Sequence, residues 1–326
     1  LGIKPPSYSY WYFLAFRYTS TAPGGELTFV FTSDGSITRA GWKATLSCID
    51  GANTSWTGTS WDNGTPSSSI TALIEGDYNG DGFVCENLVI SSSNAMTFTG
   101  TLEVKSGISN EGSLVVSSGN SLITYPTGEV DDNIVIQRNT RYSDGKYSFV
   151  GTPVEFNEDI VGSDLGGHVY RYDEEASTDV NSLARWISAA SDVLVPGKGY
   201  TQASQQLIEF TGRPNADTVT YSASFTNDGW HLVSNPYAAA ISLSDFIDLN
   251  STTTDAIYIW DDNGSDTGRG SSSDYIVANK SGATDNSGTN NESRWNGYIG
   301  SMQGFFIQMD GSSGEIVFAE TMRVSG

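Results

Sequence analysis

Asp228-Gly-Trp-His-Leu-Val-Ser-Asn-Pro236 decides the reading of this chain, because Asp144-Gly-Lys-Tyr-Ser-Phe-Val-Gly-Thr-Pro153 precedes it as an earlier copy. Four further blocks recur downstream of each copy in the same order. His168-Val-Tyr-Arg-Tyr-Asp173 returns as Ala256-Ile-Tyr-Ile-Trp-Asp261, and Arg185-Trp186 as Arg294-Trp295. Gly197-Lys-Gly-Tyr-Thr201 returns as Met302-Gln-Gly-Phe-Phe306, and Leu207-Ile-Glu-Phe210 as Glu315-Ile-Val-Phe318. Chance accounts for one such pair but not for an ordered series. The blocks alternate with the two-residue period of a strand, so Tyr170 and Tyr172 share one face, as do Tyr258 and Trp260. Pro153 and Pro236 close strands, since proline cannot donate to a ladder. Two homologous β units in tandem predict a pseudo-symmetric sandwich or two packed sheets over 138–326, with units of about 138–215 and 216–326. The helical signal is confined to Ser242-Leu-Ser-Asp-Phe-Ile-Asp-Leu249, with Ser242 or Ser244 as cap.

Upstream, short alternating runs follow one another at Asn87–Ser91, Ala95–Thr99, Thr101–Lys105, Gly112–Ser117 and Ser121–Tyr125. Their regular spacing favours a short parallel β-solenoid of two or three turns over 86–137, with an antiparallel meander as the alternative. Residues 51–85 read as a Ser/Thr/Gly-rich connector ending in an acidic loop. Residues 1–50 read as strands separated by Gly24-Gly25 and Asp34-Gly35 turns. The fold class expected for the whole is all-β.

The chain has 326 residues, a net charge of −22 and only 17% charged residues, with abundant small and polar turn formers. Such an acidic surface repels phosphate backbones, which argues against a nucleic-acid partner. It suits Ca²⁺ at carboxylate clusters or simple solubility. No apolar run reaches membrane-spanning length, so no membrane insertion is expected. Cys48 and Cys85 permit one disulfide or two reduced thiols. The start at Leu1 reads as that of a processed product or fragment.

Asp77-Tyr-Asn79-Gly-Asp81-Gly82-Phe83 is the sharpest local motif. It spaces three oxygen donors at alternate positions, followed by the Phe83 carbonyl, and resembles the first half of dockerin-like and EF-hand-type calcium loops. Leu88 stands where those loops carry a bidentate acid. A solvated turn is the competing reading. Asp261-Asp262-Asn263-Gly-Ser265-Asp266 reads as a hydrated hairpin tip. Trp56 and Trp61, beside polar loops, are candidates for stacking on sugars. The recurring Arg-Trp pair suggests packing or a cation–π contact. His168 and His231 are expected within strands and outside any zinc spacing. No nucleophile elbow, phosphate loop or dinucleotide fingerprint occurs. The acids cluster in wet turns rather than as a tuned pair, so no enzyme is expected.

Two resemblances add to this. Phe31-Thr-Ser-Asp34-Gly-Ser-Ile-Thr-Arg-Ala-Gly41-Trp42-Lys-Ala44 resembles the last strands of a CUB domain, where the position of Asp34 binds Ca²⁺. The lines Val135–Val154, Gly229–Tyr237 and Gln303–Phe306 resemble modules of large secreted proteins of Bacteroidota. That resemblance implies export by a type IX secretion system, an extracellular or cell-surface location and an adhesin or structural role. It also implies outer-membrane secretion or attachment machinery as a partner, beside a glycan or surface-protein ligand. Asp217-Thr218-Val219 fits the O-glycosylation pattern of that group, with Thr218 as acceptor. The alternatives are an accessory carbohydrate-binding region of a secreted hydrolase and a cargo module held by export or surface machinery.

Overall fold

The computed structural model describes residues 52–140, 146–203, 206–261, 274–285 and 296–324. The CUB-like strands with Asp34 and Cys48, most of the 261–266 loop, and Arg294-Trp295 lie outside the described residues. The chain divides into two separate units, residues 1–50 and then residues 51–326.

That unit begins with nine short strands: β1 (Asn53–Trp56), β2 (Thr71–Ile74), β3 (Tyr78–Asp81), β4 (Val84–Ile90), β5 (Ala95–Thr99), β6 (Thr101–Asn110), β7 (Ser113–Val116), β8 (Ser121–Ile123) and β9 (Ile134–Asn139). They wind between two sheets. One has the order β1-β2-β4-β6-β8, and the other runs β3-β5-β7-β9, with neighbours parallel throughout. This is the β-solenoid, and parallel in-register stacking explains its sequence. Ala72, Leu88 and Ile108 form one inward column, and Tyr78, Met96, Leu114 and Ile134 form another. All are buried, and each Leu, Ile or Met so placed stabilises the coil by roughly 1.5–3 kcal/mol.

The solenoid starts earlier than the sequence indicates. Residues read as a connector supply β1, β2 and β3, because Thr54, Ser55 and Thr71 take buried positions and blur the apolar alternation. Segment 57–64 folds back over the outer edge of β1. There Asp62 N donates to Ser55 O at 3.0 Å, and Ser55 N donates to Asp62 Oδ1 at 2.7 Å. Covering an edge in this way blocks edge-to-edge pairing. At the far end, Leu122 N donates to Ala238 O at 2.8 Å, so the second half of the chain closes the last coil.

The repeats follow. The first holds β10 (Ser148–Val150), β11 (Tyr170–Tyr172), β12 (Trp186–Ser188), β13 (Tyr200–Gln202) and β14 (Leu207–Thr211). The second holds β15 (Val219–Ala223), β16 (Trp230–Ser234), β17 (Ala240–Ser242), α1 (Leu243–Leu249), β18 (Ile257–Trp260), β19 (Tyr275–Asn279), β20 (Gly282–Asp285), β21 (Tyr298–Ile299), β22 (Gly304–Gln308), β23 (Gly314–Phe318) and β24 (Arg323–Val324). The helix starts where expected, with Ser242 Oγ accepting from Asp245 N at 3.2 Å.

The duplicated blocks whose two copies lie among the described residues adopt the same fold, and the place that Trp186 takes opposite Tyr172 is taken by Tyr275 opposite Trp260. The sheets run β10-β13-β11-β12 and β16-β22-β18-β19-β20, so first, last, second and third strands occupy equivalent places. An antiparallel pair flanks each: β9 with β14 in the first, β15 with β23 in the second. Strand β9 therefore serves twice, as the last strand of its solenoid sheet and as the entry strand of the first repeat.

The repeats also meet reciprocally. Val150 bridges Gln303, and Val233 bridges Lys198, the residues at the matching positions. Gly151 N donates to Met302 O at 3.1 Å, and Ser234 N donates to Gly197 O at 2.9 Å. Gly197 and Met302 both take left-handed backbone, at φ 83° and 59°. A Cβ on Gly304 would lie 2.7 Å from the Phe149 and Val150 backbone, and one on Gly199 2.7 Å from Leu232 and the Val233 carbonyl. One exchange of contacts is thus made twice, as in an isologous dimer fused into one chain.

Candidate functional site

Where the sheets of the two repeats face each other, alternation places aromatic residues from both. Phe149, Leu232 and Phe306 are buried, and Tyr172, Trp186, Trp230, Tyr258, Trp260 and Tyr275 pack around them half-buried. Phe306 lies edge-on to Phe149 at 5.5 Å and to Tyr172 at 4.9 Å between ring centroids, and Phe149 reaches Trp260 at 5.7 Å. These separations are those of favourable aromatic pairs, each worth about 0.5–1.5 kcal/mol beyond burial. The chemistry is sorted by depth: Phe and Leu hold the centre, and Tyr and Trp, which carry a polar handle, hold the wetter margin. Trp260 Nε1 is shielded from solvent and has no hydrogen-bond acceptor among the described residues. Burial pushes the Tyr172, Tyr258 and Tyr275 hydroxyls up, so they stay neutral.

An ion pair locks the margin of this cluster. Arg185 is fully buried; its Nη1 donates to Asp228 Oδ1 at 2.8 Å and to the Tyr172 hydroxyl at 2.8 Å. Both kinds of contact expected of the Arg185-Trp186 pair are present: the guanidinium lies over the Tyr172 ring at 5.8 Å, and Trp186 packs edge-on against Tyr172 at 5.2 Å. Glu174 completes the lock. It is buried and accepts the backbone N–H groups of Thr226, Asn227, Asp228 and Gly229 at 2.6 to 3.2 Å. Burial alone would raise its carboxyl, but these donors outweigh it and hold the pKa at about 2. Sequence reading missed this lock because its members come from three segments, 172–174, 185 and 226–229, that only the fold brings together.

The residues singled out from sequence are dispersed. Asp77, Asn79 and Asp81 point outward along or beside β3, which is extended. Asp77 Oδ1 accepts from Ala95 N at 2.9 Å, Asn79 Oδ1 from Thr97 Oγ1 at 3.1 Å and Asp81 Oδ1 from Thr99 Oγ1 at 3.0 Å. A strand separates alternate side chains by roughly 6.8 Å, whereas Ca²⁺ ligands crowd within about 2.5 Å of the ion. The structure therefore does not gather these three around one point. Phe83 is buried, and its carbonyl accepts from Glu103 N at 2.9 Å. Among the described residues no group of three His, Cys, Asp or Glu side chains has metal-binding geometry.

Trp56 and Trp61 pack edge-on at 5.6 Å and join Tyr78 and Phe83 in an aromatic cap on the solenoid core. Trp56 Nε1 donates to Asp77 O at 2.9 Å. Thr218 is exposed, with Oγ1 donating to Glu320 Oε2 at 2.5 Å. His231 lies in β16, buried, with Nε2 2.7 Å from Ser224 O. His168, expected in a strand, instead occupies an exposed bend with φ 58°, just ahead of β11. Cys85 is a free, buried thiol pushed up to about 12, by burial first and then by Glu86.

These features define a class: an all-β protein in which a capped solenoid runs through a shared strand into a duplicated sheet module with an aromatic interface. The chain belongs to the family described as Domain of unknown function (DUF8693), whose model matches residues 51–326. No curated protein and no solved structure matches it.

Proposed function

We infer that the chain is a non-catalytic, secreted cell-surface segment of adhesin or structural type, exported by a type IX secretion system. The observation that carries this reading is strand β9. By belonging to both the solenoid sheet and the antiparallel pair with β14, it makes hydrogen bonding continuous from one part to the other. Such a body presents loops and aromatic margins on a scaffold, which is the physical need of a spacer or binder. The displaced carboxyls fit the same reading. Glu103, Glu174 and Glu320 are lowered, each bonded to donors of the fold itself: Lys105 and Tyr125 for the first, backbone N–H groups for the second, and Thr218 with backbone for the third. A carboxyl poised for general acid work would be raised instead.

The test is location. On intact cells of the producing organism, an antibody to the chain should label the surface and added protease should remove the label. Loss of the export machinery should trap the chain in the periplasm. A chain confined to the cell interior, or turnover of a polysaccharide by the purified chain, would contradict the reading.

A further inference from the structure

We propose that Asn296 is a site of spontaneous covalent modification, at which the native fold directs the Gly297 nitrogen onto the asparagine side chain and converts it to aspartate or isoaspartate. The reactants are the chain and water. Gly297 N bonds to Asn296 Cγ, the Cγ–Nδ2 bond breaks, and Nδ2 leaves as ammonia with the Gly297 proton. Water then opens the five-membered imide. Attack at Cγ gives aspartate, and attack at the backbone carbonyl gives isoaspartate, whose main chain runs through the side chain and is one methylene longer.

Three Asn-Gly steps lie among the described residues, and their surroundings differ. Asn296 is exposed, and its Oδ1 accepts from Tyr298 N at 3.2 Å. That bond curls the side chain back over its own backbone and brings Cγ toward Gly297 N. The same N–H faces the oxygen that gains negative charge when Cγ becomes tetrahedral, as a donor of an oxyanion hole does. The fold fixes this donor. At the other end of the same planar peptide, Gly297 O accepts from Leu243 N at 3.0 Å, and Tyr298 pairs with Ser242. Gly297 takes left-handed backbone at φ 84°, and a Cβ there would meet nothing within 4 Å, so the attacking nitrogen stands in open space. Its N–H bonds to no acceptor among the described residues. Asn79, by contrast, lies in β3, where a side chain stands away from the backbone, and its Oδ1 accepts from Thr97 Oγ1 on the next coil at 3.1 Å. Asn63 precedes Gly64 at φ 83°, but its Nδ2, the leaving group, is tied to Asn53 O at 3.3 Å. No N–H of the described residues donates to its Oδ1. Asn263-Gly264 lies outside the described residues.

The experiment needs no variant. The whole native chain is incubated in mildly alkaline buffer, and peptide mass mapping follows the gain of one mass unit at each asparagine, with enzymatic methylation to detect isoaspartate. Asn296 should convert first, faster than Asn63 and at least about 10-fold faster than Asn79, whose strand must open before its backbone can close the ring. Isoaspartate should appear at position 296 beside aspartate. In a denatured sample the three steps should react at similar rates, because each is then an unstructured Asn-Gly. An Asn296 that keeps its amide in the native chain while the denatured chain loses it would overturn the proposal. So would native Asn63 or Asn79 reacting as fast as Asn296, or conversion at 296 that yields aspartate without isoaspartate, which would bypass the imide.

Discussion

Arg185 of the first repeat is fully buried and holds Asp228 of the second through two short hydrogen bonds, Nη1 lying 2.8 Å from Oδ1 and 2.9 Å from Oδ2. The pair joins residues far apart in sequence at the edge of the aromatic interface. It therefore adds a charge interaction to the backbone bonds and the Glu174 contacts that also join the repeats.

Removing one partner leaves the other charge uncompensated in the interior. Asp228→Asn is expected to cost about 3 kcal/mol, whereas Arg185→Met combined with Asp228→Asn should cost less than the sum of the two single changes. A denaturant-unfolding double-mutant cycle measures the difference, and additive effects would mean that the pair is not coupled.

Glu174 predicts an acid-side dependence with a definite sign. Its folded pKa of about 2 lies below its ordinary value, so its contribution is complete above the ordinary carboxyl range and is lost as pH falls toward 2. The melting temperature of the native chain should fall over that window. Glu174→Gln should melt lower at neutral pH and show a shallower acid fall. Parallel curves for the two proteins would show that the carboxylate is not held by the 226–229 backbone.

Gly199 and Gly304 should respond alike, because each lets one repeat's last strand approach the other's first strand. Gly199→Ala and Gly304→Ala are expected to destabilise by about 1–3 kcal/mol each, the usual range for overpacking. A tolerated substitution at one site and a severe one at the other would break the reciprocity.

Cys85 should be silent toward thiol reagents. Burial and a thiol pushed up to about 12 deprive it of thiolate at neutral pH. In a Cys48→Ser background, labelling should await denaturant. Rapid labelling of the native chain would mean that the solenoid core opens.

The duplication was legible in sequence because its blocks keep strand alternation and order, and the structure returns both as one sheet order used twice. The solenoid was legible where Leu, Ile, Val and Met alternate, and it was hidden across β1 and β2, where Thr and Ser fill inward positions. The acidic motif shows a more general ambiguity. Donors at alternate positions describe both a calcium loop and one face of a strand, and the partners on β5 make Tyr78–Asp81 a strand. Of the aromatic interface only the shared faces of Tyr170 with Tyr172 and of Tyr258 with Trp260 were legible, since only the tertiary fold brings rings of different strands together. Trp56 and Trp61 drew attention from polar surroundings, but Tyr78 and Phe83 give them a packing role.

Amide hydrogen exchange at Gly151 and Ser234 tests the account most directly, because their N–H groups make the two matching bonds across the repeats, to Met302 O and Gly197 O. If the repeats dock reciprocally, both amides should be protected to similar degrees, near the level of global unfolding. Strong protection at one with loop-like exchange at the other would contradict it.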